Sequence, residues 1–212
     1  MNRTSVLMVM VSVVLAGICG CGGSKGVVKT GFLSDYSKLQ SESESSYRYI
    51  DKTVSGNYKD FIVDPVTVHF KEGAKAIKEK SEGKITEKDL KDLTNYFHDA
   101  IVKAITDAGY SVAYQPASGV ARVRVAITDL KETGALNVLP QASLLGADVG
   151  GAAMEAEVVD SVTGKQIGAV VESQKGSRVP FTNLGDWGTA KGVMDGWAKR
   201  FKERLEEGQG KK

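Results

Sequence analysis

The sequence predicts an α+β fold: a mainly antiparallel sheet with two amphipathic helices packed on one face. Three observations lead there. Leu90, Leu93, Phe97, Ile101, Ile105 and Ala108 recur at steps of three and four, and Ala190, Val193, Met194, Trp197, Phe201 and Leu205 share a face in the same way, so each stretch is a helix with one apolar stripe to bury. Residues 120–130 (VARVRVAITDL) alternate apolar with polar for most of their length, the mark of a strand with one covered and one wetter face. Residues 154–160 and 166–173 are two further strand-like runs, joined by a link in which Gly164 can supply the positive φ of a tight turn; this is a hairpin.

The elements follow in order. Residues 32–58 are polar and aromatic, with the cluster SESESS before Tyr47, Tyr49 and Tyr58, and read as irregular structure wrapping the domain with tyrosines as anchors. Residues 61–70 (FIVDPVTVHF) are β-rich but contain Pro65, which marks an edge strand or a strand with an irregular point. The Lys- and Glu-rich residues 71–84 read as a solvated loop with room for a helical turn. Thr86 with Asp89 three residues on forms a capping-box-like start for the first long helix, and Gly109 stands where a left-handed C-cap is wanted. A short strand at 110–114 and a turn at 116–119 lead into the alternating strand. Both helices fall to one face in this order, with Trp197 and Phe201 against the sheet, each burying on the order of 150–250 Å².

The first twenty residues have a different character. They carry one cation, Arg3, and then no charge from Thr4 to Gly20, which is a secretory signal layout. The apolar stretch at 6–18 is shorter than the ~20 residues that span a bilayer, and small residues follow it instead of basic ones. The chain has two cysteines, Cys19 and Cys21, both at the end of this stretch. Ile18-Cys19-Gly20-Cys21 resembles a lipobox: Ile18 and Gly20 occupy the positions recognised by signal peptidase II, and Cys21 is the sulfur to be acylated. Cys19 has no such neighbours. The expected organisation is a signal peptide at 1–20, a flexible Gly-rich tether at 21–31, a single α+β domain at 32–206 and a frayed tail at 207–212.

Composition excludes several classes. Of 28 basic residues Arg3 leaves with the signal, so 27 face 26 acidic ones, and no global field exists to collect nucleic acid. The exported part holds no cysteine beyond Cys21, so no disulfide is expected. His69 and His98 are its only histidines and have no H-x-x-x-H spacing, so neither metal nor cofactor is expected and His98 reads as a surface residue. There is no G-x-S-x-G elbow at a strand-to-helix turn, no G-x-G-x-x-G and no Walker pattern. The glycine run 146–151 leads into a strand rather than a helix, and so reads as a loop entry. Asp129, Glu155, Glu157 and Asp160 are the acids one would consider for sugar hydrolysis; alternation puts Glu155 and Glu157 on one strand face, which is read as solvated. No catalytic residue is assigned. Residues 136–145 lack any period yet keep Leu136, Val138, Leu139, Leu144 and Leu145; they read as a flap over the sheet, or else as an exposed apolar patch that docks a partner or the membrane surface.

Several segments together resemble a known family. FLSDYSKL at 32–39, YKDFIVDPVTV at 58–68, the helical stretch after Thr86, VRVAITDL at 123–130 and the closing W-x-x-x-F of Trp197 and Phe201 are similar to the uncharacterised bacterial lipoproteins of domain of unknown function 3313. The resemblance runs from about Phe32 to Leu205, and G-F-L-S-x-Y-x-x-L is its most specific piece. It implies an envelope location and no defined activity or catalytic residues. The expectation is a noncatalytic lipoprotein held by a lipid on Cys21, with another envelope component as partner. Gly22 in place of an inner-membrane-retaining aspartate points to the outer membrane, with the domain facing the periplasm. The alternatives are an envelope glycan hydrolase or lyase working through surface carboxylates, and a structural protein that oligomerises through the Pro65 edge strand.

Overall fold

In a computed structural model of the chain the described residues are 29–70, 73–131, 150–175 and 187–209. Their elements are β1 (Gln40–Ser43), β2 (Ser46–Ile50), a 3-10 turn (Ser55–Asn57), β3 (Asp60–Val63), β4 (Thr67–Val68), α1 (Lys75–Ser81), α2 (Glu87–Asp107), β5 (Ser111–Val112), β6 (Val120–Lys131), β7 (Gly151–Asp160), β8 (Gln166–Lys175) and α3 (Gly188–Gly208). The strands form one sheet in the order β1-β2-β8-β7-β6-β3-β5, with β4 also on β6. The α+β class read from the sequence is the observed one.

The centre of the sheet is the β6-β7-β8 meander, antiparallel throughout. Hydrogen bonds from the Val162 and Thr163 amides to Asp160 close the β7–β8 turn, with Gly164 at φ +71°. Beside this meander β3 and β4 run parallel to β6. They are one strand broken at Asp64–Val66, where Pro65 has no N–H to donate. Pro65 therefore marks an irregular point; the edge beyond β3 is occupied by β5. On the other flank, the SESESS cluster forms a hairpin of β1 and β2, and β2 pairs with β8. Here the structure differs from the irregular wrap expected for the whole of 32–58: β2 finds a backbone partner more than 100 residues away, which local propensity cannot indicate.

Both long helices lie on one sheet face. Thr86 caps α2 by accepting the Asp89 amide while the Asp89 carboxylate accepts the Thr86 N–H, and Gly109 follows the helix at φ +88°. Leu93, Phe97, Ile101 and Ile105 of α2 meet Ala190, Val193, Met194 and Trp197 of α3 over Val123, Val125 and Ile127 of β6. The Phe97 and Trp197 rings are 5.7 Å apart, a pairing worth about 0.5–1.5 kcal/mol beyond its buried area. Phe201 meets Phe61 edge-on at 6.4 Å. Tyr96 on α2 reaches Asp195 on α3 at 2.8 Å, and Tyr110 donates to the Leu205 carbonyl at 3.2 Å, so polar contacts fix the helix pair laterally.

Among the described residues, the opposite face is covered by an irregular segment and not by a helix. Leu33 packs on Ala169 and Val171 with Phe32, Tyr36, Leu39 and Tyr47 around it, so residues 30–39 lie as a strap across β7 and β8. Among the described residues no helix is long and apolar enough to cross a membrane.

Candidate functional site

Strand alternation sends Met154, Ala156 and Val158 of β7 toward the helices and Glu155 and Glu157 toward the strap. The shared face read from the sequence is correct, but its solvation is not. Glu155 is 0 % and Glu157 1 % exposed, because the strap closes over them. Burying two carboxylates is tolerable only where donors replace water, and the strap supplies those donors from its own main chain.

Glu155 accepts the Thr30 amide at 2.5 Å and the Tyr36 hydroxyl. That hydroxyl in turn accepts the amides of Gly31 at 2.8 Å and Leu33 at 3.1 Å, which curls the strap around the ring. Burial first, and then the bond to Glu155, raises the Tyr36 phenol above its ordinary value. Glu157 accepts the Ser34 amide at 3.0 Å, the Ser34 hydroxyl at 2.7 Å and the Gln166 amide nitrogen at 2.9 Å. Its other oxygen pairs with Arg124 at 2.6 Å, directly across the β6–β7 ladder. Gln166 also donates to the Asp35 carbonyl at 3.0 Å. Arg124 stacks on Phe32, 5.4 Å from the ring centre, and Phe32 in turn meets His69. The segment G-F-L-S-x-Y is thus legible as chemistry: Gly31 and Leu33 give amides to Tyr36, Phe32 covers Arg124, and Ser34 caps Glu157. Fastening begins at Thr30, inside the stretch read as tether.

The other acids do not join this pair. Asp129 accepts the Ala76 and Leu130 amides near one end of β6, and Asp160 organises the β7–β8 turn at the far end of the ladder while accepting the Tyr58 hydroxyl at 3.0 Å. Bonds from Thr163, backbone then side chain, hold the Asp160 carboxyl below its usual range. His98 is a half-exposed helix residue 3.2 Å from Asp99, as its position off the apolar stripe implied. His69 is exposed beside Phe32. Gly151 opens β7, so the described end of the glycine run is a strand entry. Cys21, Ile18 and Gly20, and the apolar segment with Leu136, Val138, Leu139, Leu144 and Leu145, lie outside the described residues. Sequence reading missed the clamp formed by Ser34, Tyr36, Arg124 and Gln166. Its one available signal was the pairing of a donor-rich G-F-L-S-x-Y with an E-x-E strand.

A second feature lies on the helix face. A cleft of about 720 Å³ opens between α3 and the β7-β8-β2 flank, with Trp197, Phe201 and Leu205 on one wall and Ala156, Val158 and Val170 on its floor.

Fold and clamp together define the class: an α+β domain whose N-terminal strap is pinned across a sheet by two buried carboxylates. The chain belongs to the family described as protein of unknown function (DUF3313), whose model matches residues 28–201. No curated protein matches it. Among solved structures it is similar to the PelC dodecamer from Paraburkholderia phytofirmans, at 10 % identity over 76 % of this chain and 96 % of that one, with a TM-score of 0.46. A second PelC dodecamer from the same organism gives 10 % identity, 71 % and 88 % coverage and a TM-score of 0.43. A Xanthomonas campestris protein of the DUF330 family gives 11 %, 72 % and 87 %, with a TM-score of 0.41.

Proposed function

We propose that this protein is a lipid-anchored, noncatalytic lipoprotein of the cell envelope, whose domain binds another envelope component. The observation that carries the reading is the engagement of Glu155 and Glu157. The paired carboxylates that a glycan hydrolase would need are covered and bonded to Thr30, Ser34, Tyr36, Arg124 and Gln166, and they serve to fasten the strap. That fastening begins nine residues after Cys21. Fully stretched, such a link spans at most ~32 Å, so the sheet face under the strap stays near the acylated terminus. Several acyl chains on one residue hold far more strongly than a single myristoyl chain, whose grip is marginal. Gly22 after the modified cysteine suits the outer membrane, with the domain on the periplasmic side.

The anchor is tested by Cys21→Ser in cells fed a clickable fatty acid. The variant should accumulate as unlabelled precursor, and a labelled, membrane-bound variant of mature size would sink the anchor. Whole-cell crosslinking followed by mass spectrometry tests the binding role: a discrete crosslinked envelope partner supports it, whereas glycan turnover by the purified chain would replace it with the enzymatic reading.

A further inference from the structure

The cleft on the helix face follows from a mismatch of widths. A helix with its side chains is about 10 Å across and strands lie about 4.8 Å apart, so two helices cover about four strands. The strand order contains seven. α2 packs on β3, β4 and β5, α3 packs on β7, and the β8-β2-β1 flank extends beyond them. Burial on this face records the loss of cover step by step. On β6, Val123, Val125 and Ile127 are at most 4 % exposed. On β7 Met154 is buried, but Ala156 and Val158 are only half-buried, as is Val170 on β8, and Ile50 on β2 is 43 % exposed. The volume left between this floor and α3, about 720 Å³, lies inside the ~300–1,000 Å³ range of small-molecule sites.

The polar groups lining the cleft are unevenly matched. Arg48 pairs with Glu42, and Arg200 pairs with Glu172 at 2.7 Å and with Gln174 at 3.2 Å. Arg204 makes no hydrogen bond or ion pair among the described residues; burial acts against its charge, and the nearby Glu207 carboxylate favours it. Among the described residues, two buried donors on lining residues have no acceptor: the Trp197 indole N–H, in a residue 3 % exposed, and Nη1 of Arg48. Orphaned buried donors are rare, and each calls for a partner. The cleft thus presents Arg204, a cation without an ion pair among the described residues, beside an apolar floor.

We infer that this cleft binds an amphiphile with one apolar chain and an anionic, oxygen-bearing head. The chain lies on Ala156, Val158 and Val170 under Trp197 and Phe201, and the head meets Arg204. This assignment is independent of the anchor and of the strap. The test uses the full-length chain in native membranes, illuminated with a palmitic acid carrying a diazirine, with adducts mapped by mass spectrometry. Adducts should concentrate on peptides containing Trp197 and Val170. Palmitate should compete, as should a lysophospholipid with an anionic phosphate head if head charge alone is read, whereas hexadecanol should not. Competition by palmitate alone identifies a free carboxylate as the head, and competition by both identifies any anionic oxygen head. Arg204→Glu, on a half-exposed helix position, should lower labelling roughly tenfold, as expected for a lost charge-assisted contact replaced by repulsion. Ala156→Trp should abolish labelling by filling the floor, with its melting temperature measured alongside. Adducts spread evenly over the domain, hexadecanol competing as well as palmitate, or unchanged labelling of Arg204→Glu would each overturn the assignment.

Discussion

Removing the Glu157 carboxylate should release the strap, and the structure sets the size of the effect. Glu157→Ala leaves two Ser34 donors, the amide and the hydroxyl, without their acceptor, at about 1–2 kcal/mol each for part-buried groups. Gln166 keeps the Asp35 carbonyl, so its loss is small. The Arg124 side chain is 39 % exposed and can rehydrate, which limits the ion-pair contribution to at most about 1 kcal/mol. The total is about 2–5 kcal/mol. At about 2–4 °C per kcal/mol for a domain of this size, melting should fall by roughly 4–20 °C. Circular dichroism gives the melt, and amide exchange at residues 30–36 gives the locality, because the strap should lose protection before the β6–β7 ladder does. A double-mutant cycle with Ser34→Ala should show coupling of at least about 0.5 kcal/mol, since the two side chains share one bond. If the melt moves by less than about 1 °C and strap amides exchange as before, the clamp does not hold the strap and the reasoning fails.

Two smaller perturbations test the helix layer. Thr86→Ala removes the acceptor for the Asp89 amide, so stability should fall by about 1 kcal/mol, read as the urea midpoint at constant m-value. Tyr96 tests pH dependence: burial, and then the bond to Asp195, push its phenol up to about 12 from 10.0. The folded state keeps this proton where the unfolded chain releases it, so stability is flat below pH 10 and declines as the pH climbs from 10 toward 12. Tyr96→Phe should make that alkaline decline shallower and cost about 0.5–1.5 kcal/mol at neutral pH, both measured by urea unfolding across the range; a decline as steep as in the unaltered chain would remove Tyr96 from the account.

The helix pair was legible from residues alone because its signals are local. The Thr86–Asp89 box, the stripe of Leu93, Phe97 and Ile101, and Gly109 just past the C-cap all lie within one continuous stretch. The β7–β8 hairpin was legible for the same reason, through Gly164 and two alternating runs. The β1-β2 flank was not, since Tyr47 and Tyr49 pair with Val171 and Ala169, far along the chain. The candidate site divides on the same line. Period-two alternation placed Glu155 and Glu157 together, but their burial depends on Thr30, Ser34 and Tyr36, more than 110 residues earlier.

What the residues by themselves determined is therefore the α+β class, the helix and strand stripes, and which side chains share a face, because φ/ψ preference and side-chain period act between near neighbours. Tertiary structure alone decided which of those faces meets water. The same E-x-E would be a wet strand edge in a sheet without a strap, and it is a dry clamp here because a distant segment brings its own amides to replace the solvent. Cover at that distance is set by chain topology, which no local pattern records.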